Sequence, residues 1–142
     1  MRNPIQPSLM PELAQALSHA ERSVVRQLYP VLDAENCTVP QWRVLLLLAD
    51  GRGHPMSEIA EFALVPAPSL TRLIDRMATD GLVHRKADIG DRRRVLVHLT
   101  ARGRSLYRRL DERVQRHQGD VLADADARQL LSLLGALVDR LR

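Results

Sequence analysis

PAPSLTRLIDRMATDGLVHRKADIGDRRRVLVHLT, residues 66–100, holds a helix, a strand, a turn and a second strand in direct succession. It is also where the positive charge lies. From Pro66 to Arg109, ten arginines and Lys86 stand against Asp75, Asp80, Asp88 and Asp91, a local excess of +7 in a chain of net charge +4. Along the helical part Leu70, Leu73, Ile74 and Met77 point one way, and Ser69, Thr71, Arg72, Asp75 and Arg76 the other. Pro68 or Ser69 opens this helix, and Asp80-Gly81 closes it, glycine suiting the left-handed position after a C-terminus. Leu82–Lys86 and Arg94–Leu99 read as strands: Val95, Val97 and Leu99 alternate with Arg94, Leu96 and His98, and Asp88-Ile89-Gly90-Asp91 supplies the turn. Leu96 blurs which face is buried. One compact unit thus offers two cationic surfaces, a helix face and a loop tip, which points to nucleic acid; the helix-plus-hairpin form points to duplex DNA.

Working outward, Ser57 is the expected N-cap of a short helix from Glu58 to about Leu64, with Glu58 and Glu61 near its positive end. Val65-Pro66-Ala67-Pro68 turns the chain into the amphipathic helix, completing a helix-turn-helix. Before it, Thr38-Val39-Pro40-Gln41 predicts a capping box, and Trp42–Ala49, apolar on nearly every side but Arg43, predicts a buried central helix ended by Asp50-Gly51-Arg52-Gly53. Pro11–Tyr29 predicts a first helix with a stripe of Leu13, Leu17, Ala20, Val24 and Leu28, which Pro30 stops. After the strands, Thr100 caps a helix carrying Leu106, Leu110, Val114 and Val121. After Asp124 or Asp126, a last helix forms a seam of Leu130, Leu134, Leu137 and Leu141, widened by Leu131, Leu133 and Val138.

From Thr38 to Leu106 the chain resembles the winged helix-turn-helix of MarR-type bacterial transcriptional regulators. The residues that carry this are Thr38-Val39-Pro40-Gln41-Trp42, Ser57-Glu58-Ile59-Ala60, Thr71 and the run to Asp80-Gly81-Leu82-Val83. Above all it is Asp91-Arg92-Arg93-Arg94-Val95-Leu96-Val97-His98-Leu99-Thr100-Ala101-Arg102-Gly103. The expected fold is therefore mainly α: a winged helix-turn-helix with a two-stranded β-hairpin wing, plus N- and C-terminal helices forming a dimerisation region. As one compact domain, residues 1–36 form the N-terminal dimerisation helix, 37–100 the DNA-binding region and 101–142 the C-terminal dimerisation helices. The resemblance implies a homodimeric, sequence-specific regulator, a repressor released by a small-molecule effector, acting on an inverted-repeat site.

Expected DNA contacts are Pro68, Ser69, Thr71, Arg72 and Arg76 on the helix, whose small N-terminal end approaches closely and whose free N–H groups can hold phosphate. For Arg76 an ion pair with Asp80 at i+4 is the competing reading. At the wing the family inserts an arginine into the minor groove, oriented by a nearby acid; Asp91 matches the acid, and Arg92 and Arg93 the arginine, with Arg93 favoured. Leu13, Leu17, Leu130, Leu134, Leu137 and Leu141 are the expected dimer contacts, since one small module cannot hide both leucine stripes. Arg26, Tyr29, Trp42 and Arg43 are the expected effector pocket.

The composition narrows the alternatives. Aromatics make up 3% of the chain, too few for a stacking platform for single strands. No window has the ~18–20 apolar residues of a membrane span, and MRNPIQPSLMPEL at the start is unlike a signal peptide, so a cytoplasmic location is expected. His19, His54, His84, His98 and His117 are scattered without metal-ligand spacing, and His84 and His98 read as a solvent-facing pair across the hairpin. No metal, cofactor, nucleophile elbow or phosphate loop is expected, and hence no enzyme. Cys37 stands alone, in the loop before the central helix, whereas the family's peroxide sensors carry a cysteine in the first helix. An alternative of another class is a winged-helix interaction module whose arginines bind an acidic protein partner.

Overall fold

The computed structural model describes residues 8–118 and 124–142. In chain order these form α1 (Leu9–Ala34), α2 (Val39–Leu48), β1 (His54–Pro55), α3 (Met56–Ala63), α4 (Ala67–Thr79), β2 (Val83–Ala87), β3 (Val95–Leu99), α5 (Ala101–His117) and α6 (Asp124–Leu141). The architecture is mainly α with a small antiparallel sheet, the winged helix-turn-helix expected above. The sheet has three strands rather than two: β1 pairs with the inner side of β3 (His54 opposite Val97, Pro55 opposite Leu96), giving the order β1-β3-β2. In the hairpin Val83 faces Leu99, His84 faces His98 and Arg85 faces Val97.

The caps explain where α2 and α5 begin. Thr38 Oγ1 accepts the Gln41 N–H at 3.3 Å while Gln41 Oε1 accepts the Thr38 N–H at 3.0 Å, a complete capping box with Pro40 in the first turn. Thr100 Oγ1 accepts the Gly103 N–H at 3.0 Å and donates to the Gly81 carbonyl at 2.6 Å, so this cap also ties α5 to the turn before β2.

Two boundaries correct the sequence expectation. Pro30 does not stop α1, which continues to Ala34. The proline removes one backbone donor, but the turn around and beyond it buries Leu28, Val31 and Leu32, and burying three large aliphatics outweighs one lost hydrogen bond. Ser57 does not cap α3, which begins at Met56, two residues before the expected Glu58, after an extended Pro55. The pairing of β1 with β3 fixes His54-Pro55 as strand, so the chain turns helical immediately after it.

The core is assembled from Leu32, Val44, Leu45, Leu48, Ile59, Leu70, Ile74, Met77, Val97 and Leu110, all essentially inaccessible. Of the predicted α1 stripe only Leu28 joins it; Val24 is exposed. Leu106, Leu110 and Val114 of α5 are buried as expected, and Val121 lies outside the described residues. Glu35, at the end of α1, reaches both Arg109 (3.4 Å) and Arg113 (3.3 Å), pinning α1 to α5. No helix among the described residues is long and apolar enough to cross a membrane.

Candidate nucleic-acid interface

α4 opens at Ala67 with Pro68 in its first turn, packs Leu70, Ile74 and Met77 inward, and leaves Pro68, Ser69, Thr71, Arg72 and Arg76 exposed. Thr71 Oγ1 donates to the Ala67 carbonyl at 3.2 Å. Gly81, at φ 72°, then turns the chain into β2, a left-handed position that a side chain occupies only at a cost. Among the described residues the competing Arg76–Asp80 ion pair does not form, and Arg72, Arg76, Arg92, Arg93 and Arg94 have no acidic partner within 4.0 Å. Their guanidinium groups are left to solvent or to an external anion.

The wing tip is held by its own backbone. The Asp88 N–H donates to the Arg94 carbonyl at 2.8 Å and the Arg94 N–H to the Asp91 carbonyl at 2.9 Å. Asp88 Oδ1 accepts the Gly90 N–H, and Asp91 Oδ1 accepts the Arg93 N–H, both at 3.0 Å. Asp91 therefore shapes the turn through the Arg93 backbone and forms no ion pair with an arginine side chain. Arg94 closes the loop, and β3 starts one residue later at Val95.

Helix and wing are clipped together by an ion pair between Asp75 of α4 and Arg85 of β2. Sequence reasoning missed this pair, because nothing local links residues ten apart on different elements. It also missed His54, buried in β1 with Asp50 near one nitrogen of its ring and Glu58 near the other. Burial opposes ionisation of Asp50, yet hydrogen bonds from the Arg52 N–H and from His54, with their charges, hold its carboxyl below the usual carboxylate range. His84 and His98 do meet across the hairpin, but as stacked rings 5.4 Å apart and only partly exposed rather than as a free surface pair. Burial first, then the neighbouring His84, Lys86 and His54, push the His98 imidazole toward its neutral form.

Away from this surface, Leu13, Leu130 and Leu141 are exposed and Leu17, Leu134 and Leu137 half-buried, none of them in the core. Arg26 and Tyr29 line a groove of about 260 Å³ along α1 with Glu21, Arg22 and Val25. Arg43 reaches this region through its 3.1 Å ion pair with Glu21, whereas Trp42 packs against the core.

Residues 36–94 match the model of the MarR family. Over 121 residues, 85% of this chain and 82% of the relative, the sequence is 31% identical to the homoprotocatechuate degradative operon repressor of Escherichia coli. Among solved structures, NadR in complex with 4-hydroxyphenylacetate superposes with a TM-score of 0.74 at 32% identity, covering 96% of both chains. The transcriptional repressor CouR bound to a 23-mer DNA duplex superposes with a TM-score of 0.76 at 26% identity, covering 96% of this chain and 99% of that one.

Proposed function

The chain belongs to the MarR family of transcriptional regulators, which are not enzymes, and on that premise we propose that it is a homodimeric, sequence-specific DNA-binding repressor released by a small-molecule effector in the cytoplasm. α4 enters the major groove, with Pro68, Ser69 and Thr71 close to bases or backbone and Arg72 and Arg76 on phosphate or guanine. The wing, shaped by Asp91, carries Arg92 and Arg93 into the minor groove, Arg93 deepest. The observation that carries this reading is that the arginines on two projections, Arg72 and Arg76 on α4 and Arg92 and Arg93 on the wing, are exposed and have no acidic partner within 4.0 Å among the described residues. Asp75 and Arg85 fix the spacing of those projections.

Residues 1–36 and 101–142 form the dimerisation region around the DNA-binding residues 37–100, with α5 rooted in the core. Leu13, Leu17, Leu130, Leu134, Leu137 and Leu141 meet their counterparts across a two-fold axis. The support is that, among the described residues, none of these leucines joins the core: Leu13, Leu130 and Leu141 are exposed and Leu17, Leu134 and Leu137 half-buried. A two-fold dimer spaces the two recognition helices by about 34 Å, one turn of B-DNA, and so selects an inverted repeat. An effector in the groove bordered by Arg26 and Tyr29, near Arg43 and Trp42, shifts the equilibrium toward a form with wrongly spaced helices. Support comes from the groove itself and from the hydroxyphenylacetate complex of NadR.

The test is affinity for the duplex upstream of its own gene against random duplex at one salt concentration. A preference of ~10³-fold or more is expected of a specific regulator. A ratio near one rejects regulation and favours an interaction module for an acidic protein.

A further inference from the structure

Ile89 stands at the tip of the wing. Its exposure, 102%, is the highest among the large apolar residues described, and it takes no part in the core. A lone apolar residue on a surface is ordinary, but nothing local explains this one. It lies between Asp88 and Gly90 in the loop from β2 to β3, where glycine, asparagine, aspartate and proline serve the turn and a β-branched side chain does not. Neither the fold nor the turn gains from it.

The loop presents this side chain on a fixed base. The hairpin is paired as far as Ala87 and Val95. Beyond them the Asp88 N–H donates to the Arg94 carbonyl at 2.8 Å, and Asp88 Oδ1 accepts the Gly90 N–H at 3.0 Å. Both chain neighbours of Ile89 are therefore held, so docking the tip orders little that is not ordered already. Arg92, Arg93 and Arg94 stand on the other limb of the loop, exposed and without an acidic partner within 4.0 Å among the described residues. The tip carboxylates, Asp88 and Asp91, each have one oxygen bonded to the loop backbone. A hydrocarbon point thus sits beside a row of guanidinium groups. An acidic protein surface matches only the second. The minor groove matches both, with phosphates along its rims and apolar sugar faces in its walls.

We infer that Ile89 is a DNA-contacting residue: as the wing enters the minor groove, its side chain is buried against the sugar walls beside the arginines. This rests on the DNA-binding reading above. Apolar side chains are a recurrent means of filling that groove. The two kinds of contact differ in what they displace. An arginine on phosphate releases counterions and so makes binding salt-dependent, whereas hydrocarbon burial releases water and no ions. Ile89 therefore supplies affinity that salt does not screen. Burying about half of an isoleucine side chain corresponds to about tenfold in Kd.

Fluorescence anisotropy with the full chain and the duplex upstream of its gene, over a series of salt concentrations, tests this. Ile89→Ser is expected to weaken binding about tenfold at every salt concentration, leaving the slope of log K against log salt as in wild type. Ile89→Leu, which keeps the hydrocarbon, should stay within about threefold of wild type. Arg93→Ala, by contrast, should reduce the slope by about one. Because the Ile89 side chain touches nothing in the core, both Ile89 variants should melt at the wild-type Tm. Binding by Ile89→Ser within about twofold of wild type, the scatter of an ordinary surface substitution, overturns the inference. A loss that comes with a reduced slope, or with a lowered Tm, overturns it too, since the residue then acts through the arginines or the fold rather than by contact. Equal wild-type affinity for upstream and random duplex overturns the DNA-binding reading itself, and the role of Ile89 with it.

Discussion

Gly103→Ala sets two physical effects of opposite sign against each other. Gly103 lies in the first turn of α5, where alanine would ordinarily gain about 1 kcal/mol in helix propensity. Here a methyl group at that position would overlap the backbone carbonyl of Leu82 and come within 3.0 Å of Leu99 Cδ2. The carbonyl is not free to retreat, because it accepts the Thr100 N–H at 3.1 Å. Separating α5 from the root of β2 costs that bond and leaves a carbonyl without a partner, about 1–3 kcal/mol. It also disturbs the Thr100 cap, worth about 1 kcal/mol. Set against the propensity gain, the net expectation is a destabilisation of about 1–3 kcal/mol, lowering Tm by about 3–12 °C in a chain of this size. Calorimetry or urea titration at fixed protomer concentration measures it, with concentration held constant because assembly shifts apparent stability. An unchanged or higher Tm would refute the steric argument and leave only propensity.

Three further outcomes are expected. Arg93→Ala weakens DNA binding by ~1–3 kcal/mol if the side chain enters a groove; a loss no larger than that of Arg128→Ala, outside the cationic third, sinks that role. Leu134→Asp yields monomers or insoluble protein on gel filtration, and an intact dimer there refutes the α6 seam as the interface. Burial, reinforced by Glu35, pushes the Cys37 thiol up to about 11 from 9.0, so the native thiol is protonated near neutrality and its alkylation should be slow until the protein unfolds. Because the folded state holds this proton more tightly, the contribution to stability is complete below the unfolded value. It fades as pH rises toward 11, and Cys37→Ala should flatten that alkaline loss in a denaturation series.

What the sequence made legible was local. Thr38 and Thr100 declare their helices because a cap needs only residues three apart, and the hairpin follows from alternation plus a turn rich in Asp and Gly. The exposed face of α4 follows from helical spacing alone. The misread features depend on distant partners. A two-residue strand containing proline has no pattern of its own; β1 exists because Val97 and Leu96 lie beside it. Pro30 remains helical because the core rewards Val31 and Leu32, a tertiary gain that local propensity does not register. The same holds at the candidate interface. The arginines announce themselves by their number, but the Asp75–Arg85 clip and the ring of His54 between two acids become visible only when separate elements meet.

The strand order has a consequence for how the molecule behaves when crowded. β3 is covered on both sides, by β1 and by β2, and β1 is too short to template another strand. The remaining free margin is that of β2, five residues long and bearing exposed Arg85 and Lys86. A second hairpin adding there would bring cations against cations, so the sheet resists edge-to-edge aggregation. The cationic side chains of β2 thereby keep a small β-sheet from recruiting strands from other molecules, whatever else their charge does.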